Sequence, residues 1–224
     1  IELRLAALFS GGKDSTYAVY LAEKMDYLVD MLISIQPTSS ESLYFHYPNV
    51  ELTRLQAKAM KKKHIYREAE DELQVLREVL EEVSDKIDGI VSGVISSKFQ
   101  KNTLEKICRE FGLIHIAPLW NREPLQLVKE IIESGFEIMI TGVAAMGMSK
   151  EWLGKILQPS DLDLLKELNK KFGINPCGEG GEIETLVLDA PIFYEKLEVE
   201  EYEIKWFGDY GYLLVSKAKL RGKP

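Results

Sequence analysis

Cysteine and histidine are scarce in this chain of 224 residues, which contains two cysteines and three histidines. Cys108 and Cys177 form neither a CxxC pair nor a disulfide framework, and no dense histidine cluster accompanies them, which argues against a zinc or iron–sulfur site. Each cysteine is therefore expected to be a small buried apolar side chain in a reducing compartment.

Long apolar runs are also missing. No stretch approaches the roughly 20 apolar residues that a membrane-spanning helix requires, and no secretory signal pattern opens the chain. The sequence therefore predicts a cytoplasmic protein that does not contact a membrane.

Positive charge is in deficit as well. The 28 Lys and Arg are outnumbered by 36 Asp and Glu, which gives a formal net charge of −8. General nucleic-acid binding requires a basic surface, so the charge balance argues against it.

Residues 10–15, with the sequence SGGKDS, directly follow the apolar run at 5–9. A short apolar run bounded by glycine is typical of a strand buried on both faces. From Ser15 onward, apolar residues recur at helical spacing. The segment is thus predicted to form a strand, a glycine turn and a helix.

The glycine turn has the composition of an anion site. Gly11 and Gly12 allow the backbone to turn sharply and to bring its N–H groups close to a ligand. Those amides lie at the positive end of the helix dipole. Lys13 adds a cation, and the hydroxyls of Ser10 and Ser15 add donors. A ligand that carries phosphates is the expected occupant.

The first 120 residues alternate between strand-like apolar runs and helical patterns. Strands are predicted at 3–9, 28–35, 64–67, 88–95 and 114–117, with intervening helices that include 51–62, 71–83 and 99–111. This alternation predicts an α/β fold with a doubly wound parallel sheet. The ligand is expected at the carboxyl ends of the strands, where the glycine turn lies.

The pattern changes near residue 120, where we place a boundary between domains 1–120 and 121–224. In the second part, strands are predicted at 137–145, 185–188, 198–207 and 210–218, the last two as a hairpin. A helical stretch is predicted around Trp152, and a helix capped by Ser160 or Asp161 is predicted to run to Phe172. This part is expected to be a smaller α/β or α+β domain.

Residues 177–185, with the sequence CGEGGEIET, combine three glycines with the carboxylates of Glu179, Glu182 and Glu184. Carboxylates so close together repel one another, so they are usually solvated or placed around a cation. A Mg²⁺ site, an ammonium site, a general base and a flexible acidic turn all remain open.

The motif at 10–15 lacks the GxxxxGK[ST] spacing of a Walker A loop. It resembles the SGGxDS signature of the PP-loop ATP pyrophosphatases, enzymes that split ATP between its α and β phosphates. Further segments, in order, resemble one branch of that class, the diphthine–ammonia ligases. They are ESLYFH at 41–46, GVISSKFQK at 93–101, WLGK at 152–155 and CGEGGEIETLVLDAPIF at 177–193.

The resemblance implies a PP-loop adenine-nucleotide-binding sheet in 1–120 and a substrate-binding domain in 121–224. The implied reaction is the ATP-dependent amidation of diphthine, a modified histidine of translation elongation factor 2. Ammonium is the nitrogen source, an acyl-adenylate is the intermediate, and AMP and pyrophosphate are released. ATP and Mg²⁺ are the implied cofactors, and a homo-oligomer is included among the expected assemblies.

The resemblance also implies roles for individual residues. The implied nucleotide site comprises Ser10, Gly11, Gly12, Lys13, Asp14, Ser15 and Gly93. Lys13, Asp14, Glu182 and Glu184 are the catalytic candidates, and Asp14 either orients Mg²⁺ or caps the helix. Candidates for contact with the acceptor are Tyr44, His46, Gln100, Lys155, Glu179 and Glu182.

Simpler interpretations accompany several of these residues. His46 could equally make a structural hydrogen bond. Gln100 could simply face solvent on a helix, and Lys155 could lie at an exposed helix end. The chain also departs from the family pattern at Lys98 and Phe99, where the family commonly has Asp and Tyr, so neither residue is assigned a ligand role.

Two other functions compete with amidation. One is a PP-loop enzyme that modifies a tRNA base, against which the negative charge and the lack of paired catalytic cysteines argue. The other is a non-catalytic module that binds ATP or AMP, which the complete SGGKDS motif and the acidic glycine segment disfavour.

Overall fold

The computed structural model describes residues 2–38 and 43–224, and their side chains at 2–38 and 51–224. The chain divides into two compact units, Ile1–Asn121 and Arg122–Pro224. Within the described ranges, no helix combines the length and the apolar character that crossing a membrane would require.

The first unit is built on a five-stranded sheet in the order β3-β2-β1-β4-β5. All four strand pairs are parallel. This confirms the predicted α/β class and parallel sheet. The strands are β1 Arg4–Leu8, β2 Leu28–Pro37, β3 Lys63–Ala69, β4 Gly89–Val91 and β5 Ile114–Ile116.

Helices cover both faces of this sheet. Successive residues of a strand point to opposite faces, and Leu5 and Ala6 in β1 are both fully buried. Ala6 and Ile33 share a core cluster with apolar side chains of the third and fourth helices, while the first and second helices pack on the strands as well. The helices are α1 Lys13–Lys24, α2 Leu43–Ala59, α3 Glu72–Val83 and α4 Lys98–Glu110.

Helix α3 illustrates why these segments fold as they do. Asp71 caps its N-terminus, because the carboxylate accepts a hydrogen bond of 3.1 Å from the Gln74 backbone N–H. One face of the helix is apolar and faces the sheet, and burial of each such side chain contributes about 1.5–3 kcal/mol. The buried residues are Leu76, Val79, Leu80 and Val83.

The order of the strands creates a crevice beside β1. The chain passes from β1 to β2 and β3 on one side, whereas β4 and β5 lie on the other. At such a reversal the connections leave a crevice at the carboxyl ends of the strands. Residues 10–12 follow β1 and Gly93 follows β4, so both lie at this reversal.

The second unit contains a four-stranded sheet in the order β7-β6-β9-β8, with antiparallel pairs. Helix α6 ends at a left-handed Gly173, with φ of +71°. The elements are α5 Pro124–Glu133, β6 Glu137–Val143, α6 Asp161–Phe172, β7 Ile183–Asp189, β8 Glu195–Trp206 and β9 Gly211–Gly222.

The structure corrects two features of the sequence prediction in this unit. Helix α5 was not predicted, although Pro124 at its start and the Glu123 carboxylate, which accepts from the N–H groups of Leu125 and Gln126, form a well-defined N-terminus. The stretch around Trp152 is one 3₁₀ turn, Lys150–Trp152, rather than a longer helix. The chain leaves the turn because the next residues hydrogen-bond to the backbone of Ile140 in β6.

Candidate functional site

Gly11 holds the turn that follows β1. Its φ of +84° lies in the left-handed region, where glycine is favoured. Gln56 of α2 is fully buried, and its Nε2 donates a hydrogen bond of 3.0 Å to the Gly11 carbonyl. A Cβ on Gly11 would collide with Gln56 Oε1. Glycine is thus required by conformation, and Gln56, which the sequence analysis did not single out, positions the turn.

The two serines of the motif lie together at the start of α1. Ser15 Oγ accepts a hydrogen bond of 3.2 Å from the Ser10 N–H, and the two hydroxyl oxygens are also 3.2 Å apart. Gly12 is the N-cap of α1 and has no side chain that could satisfy the first backbone N–H groups. The turn therefore presents hydroxyls and helix N–H groups at one place, which is the arrangement that binds anions.

Lys13 and Asp14 occupy the first turn of α1. The Lys13 Nζ lies 3.3 Å from Asp14 Oδ2. Only 3% of the Lys13 side chain is exposed, against 28% for Asp14. The buried ammonium and its neighbouring carboxylate compensate each other's charge, and both directly follow the glycine turn.

Gly93, which follows β4, lies next to Asp14 and Ser15. It packs against the peptide between Asp14 and Ser15 so closely that a Cβ would stand 3.0 Å from the Ser15 nitrogen. The structure thus brings together all the residues of the predicted nucleotide site. The adjacency follows from the strand order, which places β4 next to β1.

A cavity of about 280 Å³ opens beside the turn. Ser10 and Ser15 belong to its polar part, and strands β1 and β2 and helices α3 and α4 supply most of its apolar walls. Its volume is close to the lower limit of about 300 Å³ that is usual for small-molecule pockets. The apolar lining residues are Leu8, Phe9, Ile33, Ile35, Leu73, Leu76 and Leu104.

Five further polar side chains line the cavity: Ser34, Gln36, Thr53, Tyr66 of β3 and Glu72 of α3. The Tyr66 hydroxyl oxygen is buried and has no hydrogen-bond partner among the residues that the structure describes. Burial raises the pKa of this hydroxyl, and the charge of Glu68 adds to the rise. Burial also raises the pKa of the Glu72 carboxyl, although part of the side chain stays exposed. The sequence analysis identified neither residue, because no motif contains them.

Ser34 and His64 form a polar pair beside this cavity. Ser34 Oγ donates a hydrogen bond of 2.6 Å to the Phe9 carbonyl and lies 3.0 Å from His64 Nε2. Burial lowers the pKa of His64, and the nearby charge of Arg54 lowers it further. His64 is thereby linked through Ser34 to the Phe9 carbonyl, directly before the glycine turn.

In the second unit, Glu182 braces the acidic segment. Its Oε2 accepts a hydrogen bond of 2.8 Å from the Asn175 N–H, and Asn175 Oδ1 in turn accepts one of 2.9 Å from the Cys177 N–H. Gly178 has φ of +70°, and a Cβ there would stand 2.6 Å from the Cβ of Ile183. The glycines thus serve a tight, specific turn.

Glu184 lies on β7 opposite Gly142 of β6. A Cβ on Gly142 would stand 2.9 Å from the Cβ of Glu184, so the glycine leaves room for the glutamate. Desolvation by the surrounding protein raises the pKa of the Glu184 carboxyl, although its side chain keeps an exposed surface. A carboxyl with this property is a candidate general base.

The remaining predicted contact residues are more dispersed. Lys155 Nζ lies 3.1 Å from Asp161 Oδ1, so an ion pair holds it at the start of α6. Gln100 is exposed in the first turn of α4. Glu179 is half-buried in the second unit. The side chains of Tyr44 and His46 lie outside the described part of the chain.

A parallel sheet with the order β3-β2-β1-β4-β5, carrying the SGGKDS turn at its reversal point, defines a nucleotide-binding α/β protein of the PP-loop class. Family models described as the diphthamide synthase N-terminal domain and C-terminal domain match residues 3–115 and 123–220. The chain belongs to the diphthamide synthase family. The resemblance seen in the sequence is thereby confirmed.

Known relatives agree with this family. The chain is 33% identical to the diphthine–ammonia ligase of Homo sapiens over 227 residues, which cover 90% of this chain and 85% of the human one. It is 32% identical to the enzyme of the same name from Mus musculus over 251 residues, or 99% and 94% of the two chains. A solved structure, a predicted subunit of tRNA methyltransferase from Methanocaldococcus jannaschii, aligns with a TM-score of 0.45 at 15% identity, over 84% of this chain and 99% of that one.

Proposed function

We propose that this protein is an ATP-dependent ligase that converts diphthine on translation elongation factor 2 to diphthamide, with ammonium as the nitrogen source. The observation that carries the proposal is the SGGKDS turn at the reversal point of the sheet. Membership of the diphthamide synthase family, matched in both units, supports the choice of acceptor. Such an acceptor would place the reaction in the cytoplasm.

The chemistry proceeds in two steps. A carboxylate is a poor electrophile until one of its oxygens becomes part of a good leaving group. Attack of the acceptor carboxylate on the α-phosphorus of ATP forms an acyl-adenylate and releases pyrophosphate. Ammonia then attacks the acyl carbon, and AMP leaves with the activated oxygen. Ammonium gives up one proton to become a nucleophile and a second one as the amide forms.

The turn after β1 serves the departing pyrophosphate. The N–H groups of Gly11 and Gly12 and the hydroxyls of Ser10 and Ser15 bind its oxygens, since they are grouped at the positive end of α1. Lys13 neutralises the charge that develops on the leaving group. Because it is already buried at this place, little reorganisation is needed during the reaction.

Asp14 is the residue that we assign to Mg²⁺. The described residues contain no group of three or more His, Cys, Asp and Glu side chains that could hold a metal by themselves. Mg²⁺ in nucleotide sites takes one or two carboxylates together with phosphate oxygens and water, and the Asp14 carboxylate lies beside the turn that we assign to phosphate. The bound ion would neutralise phosphate charge. The alternative role of Asp14, at the helix N-terminus, needs no metal.

We assign proton removal from ammonium to Glu184. A general base works best when its pKa lies near the working pH, and the raised pKa of Glu184 moves it in that direction. Glu179 and Glu182 supply negative charge that attracts ammonium or the trimethylammonium group of the acceptor. Glu182 also stabilises its own turn, because its carboxylate accepts a hydrogen bond from the Asn175 N–H.

The remaining assignments concern the two domains and the residues proposed to contact the acceptor. The nucleotide-binding domain is assigned to 1–120 and the substrate-binding domain to 121–224. Tyr44, His46, Gln100 and Lys155 are proposed to contact the acceptor, and the exposed amide of Gln100 suits that role.

The test uses purified protein with Mg²⁺-ATP, ammonium and elongation factor 2 that carries diphthine. AMP, pyrophosphate and the intact mass of the factor are measured, with unmodified factor as the control. We expect AMP release that depends on diphthine, together with the mass change from carboxylate to amide. AMP release without that mass change would contradict the proposal that diphthine is the acceptor. ATP binding without any AMP would instead favour a nucleotide-binding module.

A further inference from the structure

The two consecutive glycines of the turn leave one peptide plane without a preferred orientation. The plane that joins Gly11 to Gly12 can rotate by about 180° as a rigid unit, which changes ψ of the first residue and φ of the second. Gly12 has a φ of −81°, so this rotation would carry it to a positive φ, which glycine tolerates and other residues resist. The two glycines by themselves therefore select neither orientation.

The two orientations have opposite consequences for a bound anion. In a trans peptide the C=O and N–H groups point in opposite directions. The Gly11 carbonyl points to Gln56. The Gly12 N–H donates a long hydrogen bond of 3.3 Å to Ser10 Oγ, and this contact is exposed. The rotated plane would present the carbonyl oxygen at this exposed place, where it would repel a phosphate oxygen.

The start of α1 fixes the following peptide plane. The Gly12 carbonyl accepts hydrogen bonds of 3.2 Å from the Thr16 N–H and 2.7 Å from Thr16 Oγ1, and Thr16 is fully buried. These bonds hold the plane between Gly12 and Lys13. They do not involve the plane between Gly11 and Gly12, so its orientation depends on other contacts.

Gln56 holds that plane from the interior of the protein. Its Nε2 donates a hydrogen bond of 3.0 Å to the Gly11 carbonyl. The side chain is fully buried, and its helix, α2, packs on strands β2 and β3. The donor is therefore offered at one fixed place. Rotation of the peptide plane would break this bond and take the acceptor away from a buried N–H group, which is unfavourable.

We propose that Gln56 is a positioning residue of the nucleotide site, which holds the Gly11–Gly12 peptide with its N–H group toward the phosphates. The inference rests on the proposed function, because it assumes that phosphates occupy the glycine turn. Gln56 lies behind the turn and acts through the Gly12 N–H. Hydrogen bonds to charged groups are stronger than those between neutral groups, so the direction of this one N–H changes phosphate affinity.

The first test measures equilibrium binding of pyrophosphate and of AMP, each with Mg²⁺, to the full chain. Gln56→Met keeps the length of the side chain but has no donor, so pyrophosphate affinity should fall by about tenfold or more. AMP affinity should change little, because AMP lacks the two phosphates assigned to the turn. Gln126→Met, at an exposed glutamine of the second unit, is the matched control and should bind both ligands as wild type.

The second test observes the Gly12 N–H directly, by NMR of protein that contains isotope-labelled glycine. In the wild type, Mg²⁺-pyrophosphate should move the Gly12 amide proton downfield, because a charged oxygen replaces Ser10 Oγ as its acceptor. In Gln56→Met this shift should be much smaller. Gln56→Glu is a second variant of nearly the same shape, whose ionised carboxylate cannot donate, and it should behave in the same way.

The outcomes separate this inference from the proposed function. Equal losses of pyrophosphate and AMP affinity, or a lower melting temperature with both affinities intact, would show a merely structural role for Gln56 and overturn the inference. A wild type that binds pyrophosphate without a shift of the Gly12 amide proton would also overturn it, whether or not the variants fold. Failure of the wild type to bind pyrophosphate would overturn the phosphate site itself, and this inference with it.

Discussion

Gly93 lies directly against the backbone of Asp14. A Cβ on Gly93 would stand 2.9 Å from the Asp14 carbonyl carbon and 3.0 Å from its oxygen. The two residues are 79 positions apart in the numbering and meet because β4 pairs with β1. The absence of one side chain thus sets how closely the start of helix α1 approaches the residues that follow β4.

Gly93→Ala should displace the start of α1. Because the colliding atoms are backbone, they cannot move aside as a flexible side chain could, so we expect a loss of about 1–3 kcal/mol in unfolding free energy and weaker ATP binding. Thermal denaturation and ATP titration measure the two effects. Gly222→Ala is the control, since its Cβ would meet nothing within 4 Å. An unchanged ATP affinity in Gly93→Ala would contradict the assignment.

Lys13→Ala should reduce AMP formation by about 100-fold or more, the usual effect of removing a charge-stabilising group from an active site. The assay is AMP release with elongation factor 2 that carries diphthine. Lys24→Ala, in the exposed last turn of the same helix, is the control and should retain activity. Turnover at the wild-type rate in Lys13→Ala would remove Lys13 from the phosphate site.

Glu184→Gln and Glu182→Gln should have different effects. Glutamine at 184 cannot remove a proton, so amide formation should fall by about 100-fold or more with ATP binding unchanged. Glutamine at 182 keeps an oxygen that can accept from the Asn175 N–H, so the turn should survive and amide formation should fall much less. Single-turnover amide formation at saturating ATP is the measurement. Equal losses in the two variants would argue against a special role for Glu184.

If Glu184 is the general base, the rate of amide formation depends on pH. Burial raises the pKa of Glu184 above its ordinary value of 4.5. Because the ionised form is the active base, the acidic limb of the rate profile should lie above pH 4.5 and should disappear in Glu184→Gln. An acidic limb that persists in this variant would show that another group titrates.

His115 should make stability pH-dependent. Burial lowers its pKa below 6.5, with Glu105 opposing and Lys101 adding to the shift, and its Nε2 lies 2.7 Å from Ser92 Oγ. The unfolded chain therefore binds the proton more readily, so the contribution of His115 to stability is complete above pH 6.5 and is lost as the pH falls from there through the lowered pKa of the folded protein.

The check is the melting temperature of wild type and His115→Gln at about pH 7.5 and about pH 5.5. The advantage of the wild type should shrink by about 1–3 °C at the lower pH. His64 also has a lowered pKa but is present in both proteins, so its effect cancels in the difference. A difference that is independent of pH would contradict the prediction.

The sequence predicted the first unit well because its signals are local. A strand buried on both faces is a continuous apolar run, and a helix against a sheet repeats its apolar residues every three or four positions. The parallel sheet and the diphthamide synthase family were both confirmed. Helix α5 was missed, and the 3₁₀ turn at Lys150–Trp152 was taken for a longer helix, since three residues carry too little periodicity to distinguish the two.

By itself, the sequence determined that a glycine turn with Lys13 and two serines follows a buried strand and opens a helix. All these residues are neighbours in the chain, so the backbone conformation that glycine permits is enough to group them. Only the tertiary structure decided what surrounds that turn. Gln56 reaches Gly11 across 45 positions. Tyr66 and Glu72 line one cavity with Ser10 because β3 and β1 flank β2 and helix α3 packs on the same sheet. Burial, and with it the pKa shifts of Glu72 and Glu184, depends on atoms from distant segments, and no local pattern encodes that.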